Sequence, residues 1–451
     1  MATKILERQL SDIWQKQNFQ GALLTESGEK VEIVYPGRVN DSRGGDFCDA
    51  VIAFSERTVT GDVELHVRSG DWRSHGHDRD PNYNRVVLHV VHSCNVDGPT
   101  VLENGGRVPV LALGKYTSKR GRSRQAGRAS GMPCSRVLNR PGERAVLAAL
   151  ERAGDERLLR REAVFSEELE VAEPGQVLYR GIMTALGYSK NKVPFLKLSQ
   201  RLPLAELEGI GRDGRPDADF RFEVAACLVE AAGLDLADCN RHGGCRQDLG
   251  RGGLAPMQGS EWEKLRARPQ NSPRARITAM SHLLARYRSQ GLFRGLLGVV
   301  RDAPQERAKV HFETALLVAA DGSPAGRSAQ AKGRLLGRER AADIVVNVLL
   351  PFASAFGRAS GQPELSRKAA LLYRGWPRLG MNCLERHMSA QAGLTRGIVN
   401  SARRQQGLIE IYSRLCREGK CPECFLGQPH AGHNVQVKTV TLTTQVPEIA
   451  R

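Results

Sequence analysis

The chain of 451 residues is poor in aromatics, with 4 Trp, 8 Tyr and 12 Phe making up 5% of it. It offers few platforms on which the bases of a single-stranded nucleic acid would stack. No segment approaches the roughly 18 consecutive apolar residues of a membrane-spanning helix, so no membrane partner is expected. The opening stretch MATKILERQLSDIW has no apolar run behind its basic residues, which argues against a signal or transit sequence and for a cytoplasmic protein. No motif recurs at a fixed period, which excludes a solenoid. Acidic residues are also in deficit: 49 Asp and Glu face 66 Lys and Arg, a formal net charge of +17 at pH 7. That excess favours a polyanionic partner, nucleic acid first, although a surplus of arginine also serves simply to keep a protein soluble.

What is present suffices for a folded protein of several units. At roughly 150 residues per domain the length corresponds to two to four compact bodies. A hydrophobic content of 41% with 25% charged residues excludes wholesale disorder and fibrous repeats. Residues 3–17 set Ile5, Leu6, Leu10, Ile13 and Trp14 at helical spacing. Short β-branched runs follow: VEIVYPG (31–37), CDAVIAF (48–54), TVTGDVELHV (58–67), VVLHVV (86–91) and VPVLAL (108–113), with turn-forming clusters between them. The class read from this is α+β, with an N-terminal mixed β-sheet domain over residues 1–115.

Residues 115–144 hold nine Lys or Arg against the single acid Glu143. Residues 116–144 read as a basic arm or linker, and Arg120, Arg122 and Arg124 are candidates to lie along a phosphate backbone, where each neutralised phosphate adds about 0.9 to the salt slope of binding. From 145 to 427 the pattern is mainly α-helical, as in QVLYRGIMTALGY and ADIVVNVLLPFASAFG. Within it WEKLRARPQNSPRARI supplies Arg266 and Arg268 as further phosphate-binding candidates, with surface ion pairing the plainer explanation. The tail, 428–451, contains VQVKTVTLTTQV, an alternating run readable as one late strand or a frayed extension.

The stretch from GGDF to VVLHVV gathers Asp46, Asp49, Glu64, His66, Asp71, His75, His77, Asp80 and His89. In DVELHVR the period of two sends Val63, Leu65 and Val67 to one side and Glu64 with His66 to the other, about 6 to 7 Å apart along the strand. A half-buried strand with a polar outer face would show the same alternation. Asp46 heads the preceding strand, and if the two strands pair, its carboxylate can meet Glu64 around one Mg²⁺ or Mn²⁺ ion. SGDWRSHGHDRDPNY adds His75, His77 and Asp80 as substrate or second-metal contacts, whereas His89, among Val87, Leu88, Val90 and Val91, reads as a satisfied core histidine.

This helix, acidic strand and Glu-x-basic strand resemble the PD-(D/E)XK nuclease core over about 115 residues. The resemblance implies a restriction-endonuclease-like core with Asp46 and Glu64 as metal ligands and His66 in the lysine position. Histidine there is a departure: neutral, it would serve as a base or a metal ligand. Over nearly its whole length the chain also resembles the DUF2851-type family of uncharacterised bacterial proteins, on VELHVRSGDWRSHGHDRDPNYNRVVLHVV, LYRGIMTALGYSKNKVPF, WEKLRARPQNSPRARI, DIVVNVLLPF and QQGLIEIYSRLCREGKCPEC. That resemblance brings no established activity with it.

In a reducing compartment the ten cysteines are read as ligands before disulfides. Cys416, Cys421 and Cys424 form C-x4-C-x2-C directly after a helix, with Gly419 and Pro422 to turn the chain between them. Zinc is the default occupant of such a structural site. Cys134 is the candidate fourth ligand, with Cys383, His430 and His433 as alternatives. A 4Fe-4S cluster is the rival occupant, since thiolates hold both and some nucleases of the resembled superfamily pin their fold this way. Cys239 and Cys245 are packing residues or a second pair. The function expected is that of a metal-dependent nuclease-like protein acting on phosphodiester bonds. The alternatives are a non-catalytic nucleic-acid-binding protein with a structural zinc or iron–sulfur site, and a metallohydrolase of small substrates.

Overall fold

The structure, a computed structural model, describes residues 6–424 except 18, 20, 41–42, 56, 118–133, 135–141, 189, 211–213, 215, 235–254, 264–270 and 320–333. Arg120, Arg122, Arg124, Arg266 and Arg268 lie outside the described residues, as do Cys239, Cys245, His430, His433 and the alternating run of the tail.

The expected first helix is α1 (Glu7–Lys16). Its apolar stripe drives Leu10 and Trp14 to full burial on the sheet, and the Trp14 indole N–H is satisfied by Pro36 O at 2.9 Å. The strands are β1 (Leu23–Leu24), β2 (Lys30–Tyr35), β3 (Arg38–Val39), β4 (Phe47–Phe54), β5 (Thr58–Arg68), β6 (Val86–Ser93), β7 (Thr100–Val101), β8 (Arg107–Val108) and β9 (Val110–Ala112). The main sheet runs β1-β2-β4-β5-β6-β9, with β3 on β4, while β7 and β8 pair separately. Pairing is antiparallel as far as β5 and parallel from β5 to β6 and from β6 to β9, which makes the sheet mixed, as expected. The connection from β5 to β6, residues 69–85, holds α2 (Asp71–Ser74) and two 3₁₀ turns, His77–Arg79 and Pro81–Tyr83.

Both faces of the sheet are covered. Val63, Leu65, Leu88 and Val90 join Phe47 and Ile52 under α1. On the other side Tyr35 and Val51 pack with Val146, Leu150, Leu408 and Ile411 from the helical part of the chain. Gly61 to His66 are therefore buried without interruption, so β5 is not a strand with one face in water.

The rest is helical, as expected: α3 (Glu143–Val171), α4 (Pro174–Leu186), α5 (Lys192–Arg201), α6 (Leu204–Gly209), α7 (Asp217–Ala231), α8 (Pro273–Arg286), α9 (Leu292–Asp302), α10 (Ala308–Leu316), α11 (Arg338–Ile344), α12 (Leu350–Ala359), α13 (Pro363–Arg374), α14 (Cys383–Ala392) and α15 (Ala402–Arg414), with a β10–β11 pair (Val318–Ala319, Arg334–Leu336). A π turn, Val345–Leu349, joins α11 to α12. The run Arg338–Ala359 is long and apolar enough to cross a membrane, but 78% of its apolar window is buried inside the protein, where Val345 and Phe352 share a core with Ile182, Met183, Ile277 and Met280. Cys227, on α7, is disulfide-bonded, a departure from the expectation of reduced thiols throughout.

Helices α3 and α15 approach backbone to backbone. A Cβ on Gly154 would stand 2.2 Å from Arg403 O, and one on Gly407 2.0 Å from Leu150 O. Ion pairs flank the crossing: Arg403 to Asp155 at 2.5 Å and Arg404 to Glu151 at 2.6 Å. Adding one methyl at Gly407 must push two helices apart along a packed seam, at a cost of about 2–3 kcal/mol. Gly407→Ala is therefore expected to lower the urea midpoint accordingly. A variant within about 0.5 kcal/mol of the parent would show that the seam yields freely.

Candidate metal centre

The alternation of β5 sends Glu64 and His66 to the face opposite α1, and parallel pairing sets Glu64 beside His89 of β6. The β5–β6 connection then folds over that face and lowers His75 and His77 onto it. Ligand atoms of His66, His75 and His77 all lie within 4.8 Å of one another. His66 Nε2 is 3.1 Å from His75 Nδ1 and 3.6 Å from Glu64 Oε1, and His77 Nε2 is 3.3 Å from the same Glu64 oxygen. Two donors each about 2.1 Å from one ion, at angles between a right angle and the tetrahedral value, stand about 3.0 to 3.4 Å apart. Two of the three edges fall in that range and the third, 3.6 Å, just beyond it, which makes these four side chains candidate ligands of one cation.

The interior supports the ligand tautomer of His66. Its Nδ1 lies 3.0 Å from His89 Nε2, and His89 Nδ1 lies 2.6 Å from Thr100 Oγ1. With His66 Nδ1–H donating to His89 and His89 Nδ1–H donating to Thr100, both rings are satisfied and His66 Nε2 keeps its lone pair for the cleft. Burial, reinforced by His89, His77 and His75, pushes His66 down to about 3. Burial and His77 push His89 down to about 4. Both imidazoles are neutral near pH 7, the form that binds metal. His89 is thus a satisfied core histidine that also sets the tautomer of its neighbour.

Aromatic rings wall the cluster. Tyr83 stacks on His77 with centroids 3.8 Å apart. Trp72, buried and anchored by its N–H to Val101 O at 3.0 Å, stands against His66, His77 and His89. Neither was singled out in the sequence, where Trp72 and Tyr83 carry no signal beyond their proximity to the histidines. Gly44 admits the loop: it takes a left-handed φ of +97°, and a Cβ there would meet Asn82 O at 2.7 Å.

The structure also brings Asp46 to Glu64. The Asp46 N–H donates to Glu64 Oε2 at 2.9 Å and the Leu65 N–H donates to Asp46 Oδ2 at 3.1 Å, a reciprocal lock between the head of β4 and β5. Asp46 is exposed as a residue, but its carboxyl is turned inward, and burial there with the Glu64 charge raises it to about 7. Asp80 is not brought into the cluster. Its Oδ1 accepts from Asn82 N at 2.9 Å and Asn82 Nδ2 at 2.6 Å, capping the Pro81–Tyr83 turn. On the same face of the sheet, away from α1, Cys416 and Cys424 are buried in the core that holds Tyr35 and Val51, and Cys134 and Cys421 act on the Cys416 thiol.

Fold and cluster together define an α+β protein with a histidine-rich candidate metal centre on a mixed sheet. Residues 7–378 match the family described as "Protein of unknown function (DUF2851)", and the chain belongs to that family. No curated protein and no solved structure shows significant similarity to it.

The acid response follows from the shifts. His66 and His89 have folded values below the unfolded 6.5, so their contribution is complete above about pH 6.5 and is lost as pH falls toward 4. Asp46 is raised and acts oppositely over the same range. Two protons taken up on unfolding against one released leave a net slope of about 1.4 kcal/mol per pH unit, and the exposure of Asp46, by weakening the opposing contribution, makes it steeper. Urea midpoints of chelator-treated protein are expected to fall between pH 6.5 and 4.5, and less steeply in His89→Gln. A flat profile in the parent would contradict the neutral histidine pair.

Proposed function

We propose that this protein is a metal-dependent, nuclease-like hydrolase of phosphodiester bonds, with a first-row divalent cation held by His66, His75, His77 and Glu64. The observation that carries this is the ligand-like spacing of three imidazole nitrogens and one carboxylate oxygen in a single cleft. The donors favour Mn²⁺ or a softer ion over Mg²⁺, which prefers oxygen. Both acidic residues already spend an oxygen on a backbone amide, which weakens a site built on Asp46 and Glu64 alone. When bound, such an ion supplies Lewis-acid polarisation of a phosphoryl oxygen and makes a bound water more acidic.

The chain's own residues supply the rest. Asp46, raised to about 7, is poised to take a proton from an attacking water near neutral pH. His66 is fixed in orientation by the His89–Thr100 row. Trp72 and Tyr83 exclude bulk water from one side, while exposed His75 marks the open side. Nucleic acid as the substrate is supported by the charge of +17. It is also supported by the layout of a β2-β4-β5 antiparallel meander followed by parallel β6, with Asp46 at the head of one strand and Glu64-x-His66 on the next, as in the resembled nuclease core. The histidine-rich donor set favours one second reading, a metallohydrolase of small phosphate esters.

The test is cleavage of plasmid and of structured RNA by the full chain with Mn²⁺, Zn²⁺ or Mg²⁺. Activity is expected with Mn²⁺, with a loss of at least 100-fold in Glu64→Gln and in His75→Ala. Steep salt dependence would mark a polyanion substrate, and hydrolysis confined to small esters would move the assignment to the second reading. Binding of nucleic acid with no cleavage under any ion would leave a non-catalytic module and overturn the proposal.

A further inference from the structure

The second cluster of potential ligands lies on the same face of the sheet as the histidines, where Tyr35 and Val51 meet the helical part of the chain. After α15 the chain makes a 3₁₀ turn at Cys416–Glu418, reverses through Gly419 in a left-handed φ of +66°, and makes a second turn at Cys421–Glu423 that Pro422 opens. Backbone bonds from Gly419 N to Cys416 O at 3.2 Å, Lys420 N to Leu415 O at 2.9 Å and Cys424 N to Cys421 O at 3.1 Å fix this path. Cys134 arrives from nearly three hundred residues earlier in the chain, its sulfur 3.4 Å from Gln391 Nε2 of α14. None of these four cysteines is in a disulfide. Cys416 and Cys424 are buried in one core with Met388 and Ala392 of α14, the helix whose Gln391 meets the Cys134 sulfur.

We propose that Cys134, Cys416, Cys421 and Cys424 form a four-thiolate site for a thiophilic metal centre, either one zinc ion or an iron–sulfur cluster. Thiolate-only sets hold both, and four protein ligands close the site to substrate, so its role is structural. Two sulfurs buried in an apolar core and two at its edge, drawn from two successive turns and one remote segment, are an expensive arrangement for side chains that merely fill space. As thiolates they need a cation, and a cation bound there displaces their protons.

The site ties together parts that are remote in sequence. Cys416 and Cys424 pack with Tyr35 and Val51 of the sheet, Val146 and Leu150 of α3 and Met388 of α14. The turn they anchor carries Arg417, whose Nε reaches Asp49 Oδ1 at 3.3 Å. Asp49 is a non-glycine residue at φ +59°, inside the β4 irregularity between Phe47 and Ala50. Loss of the centre is thus expected to free Arg417 and relax the strand whose head bears Asp46. The inference stands on the cysteines alone and does not depend on the nuclease reading.

The experiment is metal, iron and acid-labile sulfide analysis of the full chain purified without oxygen, with its absorption spectrum, beside Cys134→Ser, Cys416→Ser, Cys383→Ser and His75→Ala. About one zinc per chain without visible colour identifies a single ion. Iron with sulfide and a broad band near 400 nm identifies a cluster. Either result supports the site if that metal falls at least fivefold in Cys134→Ser and Cys416→Ser while Cys383→Ser, altered at an exposed thiol, and His75→Ala retain it. Should a serine variant not fold, titration of the parent with an organomercurial decides: release of the metal in step with about four thiols supports the site. Metal that survives both serine variants, or a metal-free parent whose thiols all react under native conditions, would overturn it.

Discussion

The arrangement of the candidate centre follows from one topological constraint: β5 and β6 are neighbours and parallel. A chain leaving the end of β5 must travel back the length of the sheet before β6 can begin, and it must do so over a face. Residues 69–85 make that journey in short turns rather than one long helix. They therefore cross directly above Glu64 and His66 and carry His75, His77 and Tyr83 with them. Trp72 fills the space beneath the crossing, with Val86, Leu102 and Val108 about it, so the loop is held by burial and not by the histidines alone. The imidazoles inherit their positions from a packed scaffold, which is what a centre needs to hold fixed ligand distances.

A second constraint acts on β4 from the helical part of the chain. Asp49 is buried yet meets three guanidiniums, Arg38 at 3.7 Å, Arg85 at 3.2 Å and Arg417 at 3.3 Å, and accepts from the Tyr412 hydroxyl at 2.8 Å. A carboxylate so placed is compensated, and removing it would strand cations in a partly dry interface. Its left-handed backbone costs of order 1 kcal/mol or more, a strain that the contacts from β3, the β5–β6 connection and the end of α15 hold in place. The same irregularity lets the head of β4 leave its regular register and offer the Asp46 N–H to Glu64. The helical region thus does more than cover the sheet; it fixes the strand on which one of the two acidic side chains sits.

Much of this organisation was legible in the amino-acid order. Period-two runs named the strands of the mixed sheet, and the alternation in VELHV set Glu64 and His66 on one side because pleating leaves no other choice. The spacing of Leu10 and Trp14 named the face of α1. What the order concealed depends on long-range register. Val87 to Val91 read as an apolar strand around His89, and only pairing with β5 puts that ring behind His66. Asp80 looked like a ligand by proximity in sequence, but the Asp-Pro-Asn turn engages its Oδ1 locally, a competition that backbone capping wins over any distance of several residues. Burial of β5 on both faces was equally hidden, since polar residues in a strand suggest water on their side unless another segment covers them.

On the proposed nuclease reading, histidine rather than lysine at position 66 bears on how negative charge would be met in this cleft. A lysine contributes its positive charge whenever it is folded in place. His66, held to about 3 by burial and its imidazole neighbours, contributes none near neutral pH, and His89 behind it contributes none either. Glu64 and Asp46 face the same space, so the described cleft holds nitrogen lone pairs and carboxylates and little that would stabilise a phosphate dianion or a pentacovalent transition state. Such a lining attracts a cation strongly and repels a bare anion. On the hydrolase reading, the positive charge that lysine supplies elsewhere must then arrive with the ion, and exchanging lysine for a neutral ligand shifts the work of charge stabilisation from the chain to the metal. Placing lysine at position 66 would not supply that charge usefully, because a buried ammonium beside His75 and His77 would occupy the coordination space that the imidazole now opens.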